Sequence, residues 1–342
     1  MNLLINAINT YKEIIDDFSR PENKLATHLN RSILLVNKIR ILYVVMSEYK
    51  QRIIAVMLPN NYDSSVVERF PKWHGIDTHI GNTKAYFNEN DESQYVIIRQ
   101  SREYDSSIFE IIANDISVEL NKIPSSEFVV KCLYATLQKW KRFFEINNIV
   151  IMPEKLQQGL YGELLVLKKM LPIWGNDSVK YWCGAERETH DFYINGNAIE
   201  VKTLSSNSNE KITISNEYQL DTSDVENELY LYVNLIRRSH SDGETLPQII
   251  SSIQESLDND TKELFEEKLF NYGYISSCSE KYKFGFFIRA QKCYYVSANF
   301  PCITKETAMF GISNISYAVD LNVCEEFKTE WNEIVNKINE VN

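Results

Sequence analysis

The pattern of apolar and polar positions divides the chain into segments of different period. The opening stretch, "MNLLINAINTYKEIIDDFSR", repeats its apolar residues at helical spacing and predicts an amphipathic helix over residues 1–19. From Arg31 to Pro59 the pattern shortens to Ile- and Val-rich runs, which predict two or three strands. Residues 60–93 carry turn signals at Asn60, Asn61, Asp63, Gly75, Gly81 and Asn82, and no regular element is assigned to them. "SQYVIIRQS" predicts another strand. Helical spacing returns over Ser106–Lys122 and Ser125–Ile146, where Phe128, Leu133, Leu137, Trp140 and Phe144 mark the apolar face. "NNIVIMPEKLQQ" reads as a connector with Pro153 near a helix start. A domain boundary is placed there, giving an N-terminal α+β domain over 1–150 and a second domain over 151–342.

The second domain opens with a helix over Glu154–Leu171, whose Leu156, Leu160, Leu164, Leu167 and Leu171 form one stripe. Strands are predicted at Val179–Trp182, Thr189–Ile194, Ala198–Leu204, Lys211–Ser215 and Glu228–Ile236. Pro247–Phe270 reads as one acidic amphipathic helix. "KFGFFIRAQKCYYVS" and "NISYAVDLN" predict late strands before a terminal helix. This is the order of an α/β or α+β protein built on a central sheet.

Composition narrows the class. The 342 residues suffice for two domains, and 44% hydrophobic with 24% charged residues is a soluble globular profile. No stretch approaches the roughly 20 apolar residues of a membrane span. The N-terminus lacks a basic region and a small-residue cleavage site, so a cytoplasmic location and no membrane partner are expected. Cys132, Cys183, Cys278, Cys293, Cys302 and Cys324 form no C-x-x-C pair and no zinc spacing with histidine. They read as reduced, mostly buried thiols. The net charge of −11 argues against a chain that coats nucleic acid through a basic surface. A local basic cleft, or a metal bridging carboxylates to phosphate, stays compatible with it.

Candidate chemistry sits in "ETHDFYINGNAIEVKT", Glu188 to Thr203. Asn195-Gly196 is a type I′ hairpin signal. Counting outward from it pairs Ile194 with Asn197, Tyr193 with Ala198, Phe192 with Ile199 and Asp191 with Glu200. Two carboxylates then face each other about 5 Å apart, an unfavourable arrangement that a divalent cation relieves. Side chains alternate along a strand, so Glu200 and Lys202 share a face while Ile199 and Val201 point to the core. Such oxygen ligands suit Mg²⁺, with Mn²⁺ as substitute. Lys202 is placed to stabilise a phosphoryl transition state or position a water. An ordinary solvated strand face carries the same three residue types. In "QQGLYGELLVLKKM", Glu163 lies beside the leucine stripe, and Gly159 and Gly162 permit close backbone approach. Downstream, "ITISNEYQLD" ends a strand with Glu217 and Gln219, which are placed to start a helix beside the site.

This order of a helix with glutamate, D, E-x-K on a hairpin, then strand and glutamine resembles the PD-(D/E)XK nuclease superfamily. It is most similar to a bacterial family named for that motif, whose members typically show "GL-x-G-E-L", "W-x-G…DF", "E-V-K-T" and "QL". Here these stand as Gly159-Leu160-Tyr161-Gly162-Glu163-Leu164, Trp182-Cys183-Gly184 with Asp191-Phe192, Glu200-Val201-Lys202-Thr203 and Gln219-Leu220. His190 occupies the place where proline often precedes the first acid. The resemblance implies a restriction-endonuclease-like core, a mixed sheet flanked by helices. It implies that Asp191 and Glu200 are metal ligands, that Lys202 is the catalytic lysine, that Glu163 binds metal directly or through water, and that Gln219 is accessory. Family members look like restriction-type endonucleases, often encoded near anti-phage defence genes.

The reading favoured is a Mg²⁺-dependent DNA endonuclease, the nuclease component of a restriction-like defence system. The N-terminal domain would supply DNA recognition or partner docking, with Lys38, Arg40, Lys139, Lys141 and Arg142 as candidate phosphate contacts. A homodimer would supply two symmetry-related sites for two antiparallel strands. The alternative is a non-catalytic module that docks a partner ATPase or methylase through its acids at Asp221–Glu228 and Glu255–Glu267.

Overall fold

The structure, a computed structural model, describes residues 6–73, 75–82, 93–102, 105–146, 151–186, 188–205 and 210–340. Residues 147–150 of the predicted connector lie outside them. The chain divides into two compact units, Met1–Val150 and Ile151–Asn342.

In the first unit α1 (Ala7–Asp17) begins at Asn6, whose side chain accepts from the Asn9 amide and caps the helix. The chain continues through β1 (His28–Leu34), β2 (Arg40–Met46), β3 (Arg52–Met57), α2 (Ser64–Glu68), β4 (Ile76–Asn82), β5 (Gln94–Gln100), α3 (Ser106–Lys122) and α4 (Val129–Ile146). The strands form one antiparallel sheet in the order β1-β2-β3-β5-β4. Residues Ile41–Val45 and Ile53–Val56 are buried without alternation, so both faces of β2 and β3 are covered. Tyr11 and Tyr43 tie one face to the helices: the Tyr11 hydroxyl donates to Ile53 O and the Tyr43 hydroxyl pairs with Ser117.

Residues 60–93 are more regular than expected, because Ile76–Asn82 forms β4. Among the described residues β4 lies at the sheet edge beside β5, so half its side chains meet solvent and its pattern is weak. Of the basic residues considered as phosphate contacts, Lys139 and Lys141 pair with Asp115 and Glu145.

The second unit runs α5 (Glu154–Trp174), α6 (Asp177–Tyr181), β6 (Phe192–Ile194), β7 (Asn197–Ser205), β8 (Lys211–Ile214), β9 (Leu229–Ser239), β10 (Glu244–Thr245), α7 (Leu246–Gln254), α8 (Asn259–Tyr272), β11 (Gly285–Tyr295), β12 (Tyr317–Asp320), β13 (Lys328–Thr329) and α9 (Trp331–Glu340). Its main sheet has the order β10-β11-β9-β7-β6, with β13 on β11, and β8 pairs with β12 separately. β7 and β9 are parallel and the other pairs antiparallel, so the sheet is mixed. A core cluster including Ala198, Ile212, Leu229, Leu231, Val233, Tyr294 and Leu321 fills one side of it.

Three expectations are corrected here. Val179–Trp182 is not a strand: Asp177–Tyr181 is helical, and the two fully buried residues Val179 and Trp182 stand three apart, the spacing of a helix face. Pro247–Phe270 is two helices, because Thr245 and Gln248 form a capping box at α7 and Asp258 caps α8 anew. The leucine stripe of α5 is not its only buried face: Leu156 is exposed, while every residue from Leu160 to Leu167 is buried. α5 is therefore surrounded by structure at the turn that carries Glu163. All six cysteines are free thiols, three of them buried. Among the described residues no helix is long and apolar enough to cross a membrane.

Candidate active site

The site begins with the turn. Asn195 and Gly196 have φ of 49° and 74°, as a type I′ turn requires, and the ladder closes as Ile194↔Asn197, Tyr193↔Ala198 and Phe192↔Ile199. The ladder stops there. Asp191 does not pair across from Glu200; its Oδ2 reaches over and accepts the Val201 amide at 2.7 Å. The Asp191 carbonyl instead accepts the Cys183 and Gly184 amides, which brings the segment after Trp182 over the hairpin.

Glu200 and Lys202 share a face of β7, as the alternation predicts. Lys202 Nζ donates to Glu200 Oε1 at 2.6 Å and to Gln219 Oε1 at 2.9 Å. Gln219 Oε1 also accepts the Ser215 amide at 2.8 Å, so this glutamine fixes the ammonium to the end of β8. Residues 216–220 form a bend and turn rather than a helix start, because Asn216 Oδ1 accepts the Tyr218 amide and Gln219 folds back on Ser215. Glu217 faces away from the ammonium: it is buried and accepts the Asn314 and Ile315 amides.

Glu163 comes from α5, and glycine brings it close. A Cβ on Gly162 would lie 1.8 Å from Thr203 Oγ1, so only glycine lets this turn of α5 lie against β7. Gln158 Nε2 donates to Thr203 O at 2.8 Å and Asn234 Nδ2 to Gly162 O at 3.2 Å, which fixes the approach. Both Glu163 oxygens are occupied: Oε2 accepts Trp182 Nε1 at 2.8 Å and Oε1 accepts the Tyr272 hydroxyl at 2.7 Å. Two further glycines leave room for these groups. A Cβ on Gly184 would lie 2.3 Å from Glu163 Oε2 and 3.0 Å from Asp191 Oδ1, and one on Gly159 would lie 3.3 Å from the Tyr272 hydroxyl.

The fold thus gathers all five predicted residues. Glu163 and Glu200 are 6% and 1% exposed, so the site is more enclosed than a solvent-facing strand wall; its partly exposed members are Asp191, Lys202 and Gln219. His190 is fully buried, with Nδ1 3.8 Å from Glu200 Oε2 and Nε2 3.5 Å from Asp224 Oδ1, and neither ring nitrogen nor Glu200 Oε2 has a hydrogen-bond partner among the described residues.

Electrostatics follows from this crowding. Burial pushes the Glu163 carboxyl up to about 7, against the hydrogen bonds from Trp182 and Tyr272, and the Glu200 charge adds to the rise. Burial, then the charges of Glu163 and Glu200, hold the Asp191 carboxyl well above the usual carboxylate range. Burial and the Glu163 charge raise the Tyr272 hydroxyl in turn.

Among the described residues no group of three or more His, Cys, Asp and Glu is drawn together as a metal cage. Two carboxylates with phosphate and water is the ligand set Mg²⁺ typically takes, and Asp191 and Glu200 are the acids of the hairpin that would supply it. The unpartnered Glu200 Oε2 and the raised proton affinity of Asp191 fit a cation there. Trp182, Gly184 and Tyr272 had no assigned role in the sequence. Trp182 and Gly184 lay in a quoted motif that could have flagged them. Tyr272, 109 residues from Glu163, gave no signal.

A family model described as "Putative PD-(D/E)XK family member, (DUF4420)" matches residues 12–322 of the chain. A search of curated proteins and one of solved structures return no match. The mixed sheet flanked by helices is the restriction-endonuclease-like architecture such a match implies, and the match points to nuclease chemistry.

Proposed function

We propose that this chain, which belongs to that PD-(D/E)XK family, is a Mg²⁺-dependent endonuclease that hydrolyses DNA phosphodiester bonds as the cutting component of a restriction-like anti-phage system. The observation that supports it most is the convergence of Asp191, Glu200 and Lys202 on one hairpin with Glu163 from α5, all held by specific partners. Asp191 and Glu200 would hold the ion. Bound Mg²⁺ lowers the pKa of a water and offsets charge on a phosphate oxygen.

The chain's own residues do the rest. Lys202 directs two of its three N–H groups to Glu200 and Gln219, which leaves one for an oxygen of the scissile phosphate. Gln219 keeps that ammonium from swinging away. Glu163 adds negative potential beside Asp191 and strengthens its hold on a cation. With a net charge of −11 the free protein binds DNA weakly, so a homodimer or a partner protein such as an ATPase or methylase assists it.

Cleavage of plasmid and phage DNA in Mg²⁺ or Mn²⁺ tests this reading. The wild type cuts and an Asp191→Ala/Lys202→Ala double variant does not; equal cutting by both sinks the assignment. Calorimetry that finds no Mn²⁺ binding, even with DNA present, favours a non-catalytic docking module instead. Sedimentation of the purified protein decides the dimer.

A further inference from the structure

We propose that Trp182 and one face of α8, through Tyr272 and Lys268, are positioning residues that aim the Glu163 carboxylate at the hairpin acids. The inference deepens the nuclease reading and rests on it for what the aimed carboxylate does. None of these residues belongs to the carboxylate–lysine motif.

The geometry is a closed set of contacts. The Tyr272 hydroxyl and the Trp182 indole N–H each take one Glu163 oxygen, at 2.7 and 2.8 Å. Their rings stack at 6.1 Å with an interplanar angle of 26°, so neither donor can rotate without disturbing the other. Lys268 Nζ donates to Trp182 O and pairs with Glu186 at 2.8 Å, which pins the backbone behind the indole. Phe265 packs on the indole at 6.0 Å. Phe265, Lys268 and Tyr272 stand at i, i+3 and i+7 of α8, one face of the helix. Gly273, at φ 115°, ends α8 directly after Tyr272 and so fixes where that hydroxyl emerges.

Geometry then limits what Glu163 does. A carboxylate with both oxygens engaged by fixed donors is held in one orientation, here beside Asp191 and against Gly184. Glu163 is therefore an acid fixed beside Asp191 rather than a free-swinging side chain. A hydroxyl and an indole on a buried acid resemble the partners that orient metal-binding carboxylates, whose loss typically weakens metal affinity about 10- to 100-fold.

The test uses the five tryptophans as reporters. In ¹⁵N-tryptophan protein without metal, the Trp182 indole signal is assigned by its loss in Trp182→Phe. It is expected to be shielded from solvent exchange and to move in both Glu163→Gln and Tyr272→Phe. Mg²⁺ affinity, read by calorimetry, is expected to fall about tenfold or more in Tyr272→Phe, with kcat for DNA cleavage reduced and KM unchanged. Tyr272→Phe keeps the ring stack and leaves one Glu163 oxygen unpartnered, so the variant stays folded with a thermal midpoint modestly below that of the wild type. An indole signal that moves in neither variant overturns the proposal, as does wild-type Mg²⁺ affinity in Tyr272→Phe. A wild type that neither binds Mg²⁺ nor cuts DNA sinks the nuclease reading instead, and the indole signal in metal-free protein still decides the clamp.

Discussion

Replacing Gly184 by alanine adds one methyl group at the most crowded point of the site. That carbon would lie 2.3 Å from Glu163 Oε2 and 3.0 Å from Asp191 Oδ1, where ordinary contact starts at 3.4 Å. The Glu163 oxygen must retreat by about 1.1 Å, the difference between 3.4 and 2.3 Å. Gly184 is not among the residues with positive φ, so alanine brings no backbone strain there. The atoms in the way are the carboxylate ends of two side chains rather than backbone, so the fold absorbs the change by moving carboxylates. Glu163 cannot retreat that far and keep its bonds to Trp182 and Tyr272. A displacement of about 1 Å at a reacting centre costs roughly 100-fold in rate. Stiffening of the unfolded chain by alanine offsets part of the crowding, by about 0.4–1 kcal/mol. The expected outcome is a folded protein whose plasmid nicking, under single-turnover conditions in Mg²⁺, is about 100-fold slower. Cleavage within a factor of about two of the wild type refutes the reasoning, because a true displacement of that size at the reacting centre leaves a far larger loss. An unfolded variant refutes it too, since only side-chain ends should move.

Other changes separate fold from function. Gly162→Ala meets Thr203 Oγ1 at 1.8 Å and Thr203 Cβ at 3.0 Å, so it pushes α5 off β7 and is expected to cost about 1–3 kcal/mol in urea unfolding, with Thr203→Ala in the same chain recovering part of it. Gln219→Ala releases Lys202 and should slow cleavage about tenfold, the equivalent of one charge-assisted hydrogen bond of about 1.5 kcal/mol, with DNA affinity unchanged by filter binding. The raised Glu163 carboxyl keeps its proton in the folded state up to about 7, while the unfolded chain loses it near 4.5. The folded state thus binds more protons between those values, and this group makes stability fall as pH rises through that window. Urea midpoints should therefore show Glu163→Gln gaining on the wild type from about pH 5 to pH 8, and a constant difference would contradict the burial of this acid.

The hairpin was legible in the sequence because Asn195-Gly196 admits few backbones, and once the turn is set the strand period fixes the faces of Glu200 and Lys202. Asp191 was placed beside Glu200 for a reason only half right: it reaches the site by bonding the Val201 amide, not by cross-strand pairing. Val179–Trp182 was misread because four residues, Val-Lys-Tyr-Trp, are too few to separate a short apolar strand from one turn of helix by period. Composition hid the break between α7 and α8, since Asp258 reads as one more acid in an acidic helix until its cap to Thr261 is seen. Tyr272 was beyond reach, because a contact over 109 residues leaves no trace in local pattern. Gly159 and Gly162 were visible and were read as permission for close approach, Gly184 was not so read, and what each one approaches required the fold.

Charge balance at the site supports the proposed cation independently of the motif. Glu163, Asp191 and Glu200 are three carboxylates in mutual electrostatic reach, and the ammonium of Lys202 is the cation that acts on them. Fully ionised, three carboxylates against one ammonium leave two excess negative charges in a mostly buried space. A stability-driven sequence would replace one acid, since unbalanced buried charge is costly. This fold instead brings the acids together by three glycine contacts and secures them with a tryptophan, a tyrosine and a backbone amide. Raised proton affinity at Glu163 and Asp191 is how the protein alone tolerates the excess. A divalent cation balances the same two charges without protons, so its binding should release protons near neutral pH. Calorimetry of Mg²⁺ binding in buffers of differing ionisation enthalpy measures that release. Binding without any proton release would mean that the acids are already ionised, and that the charge excess does not hold protons in the metal-free protein.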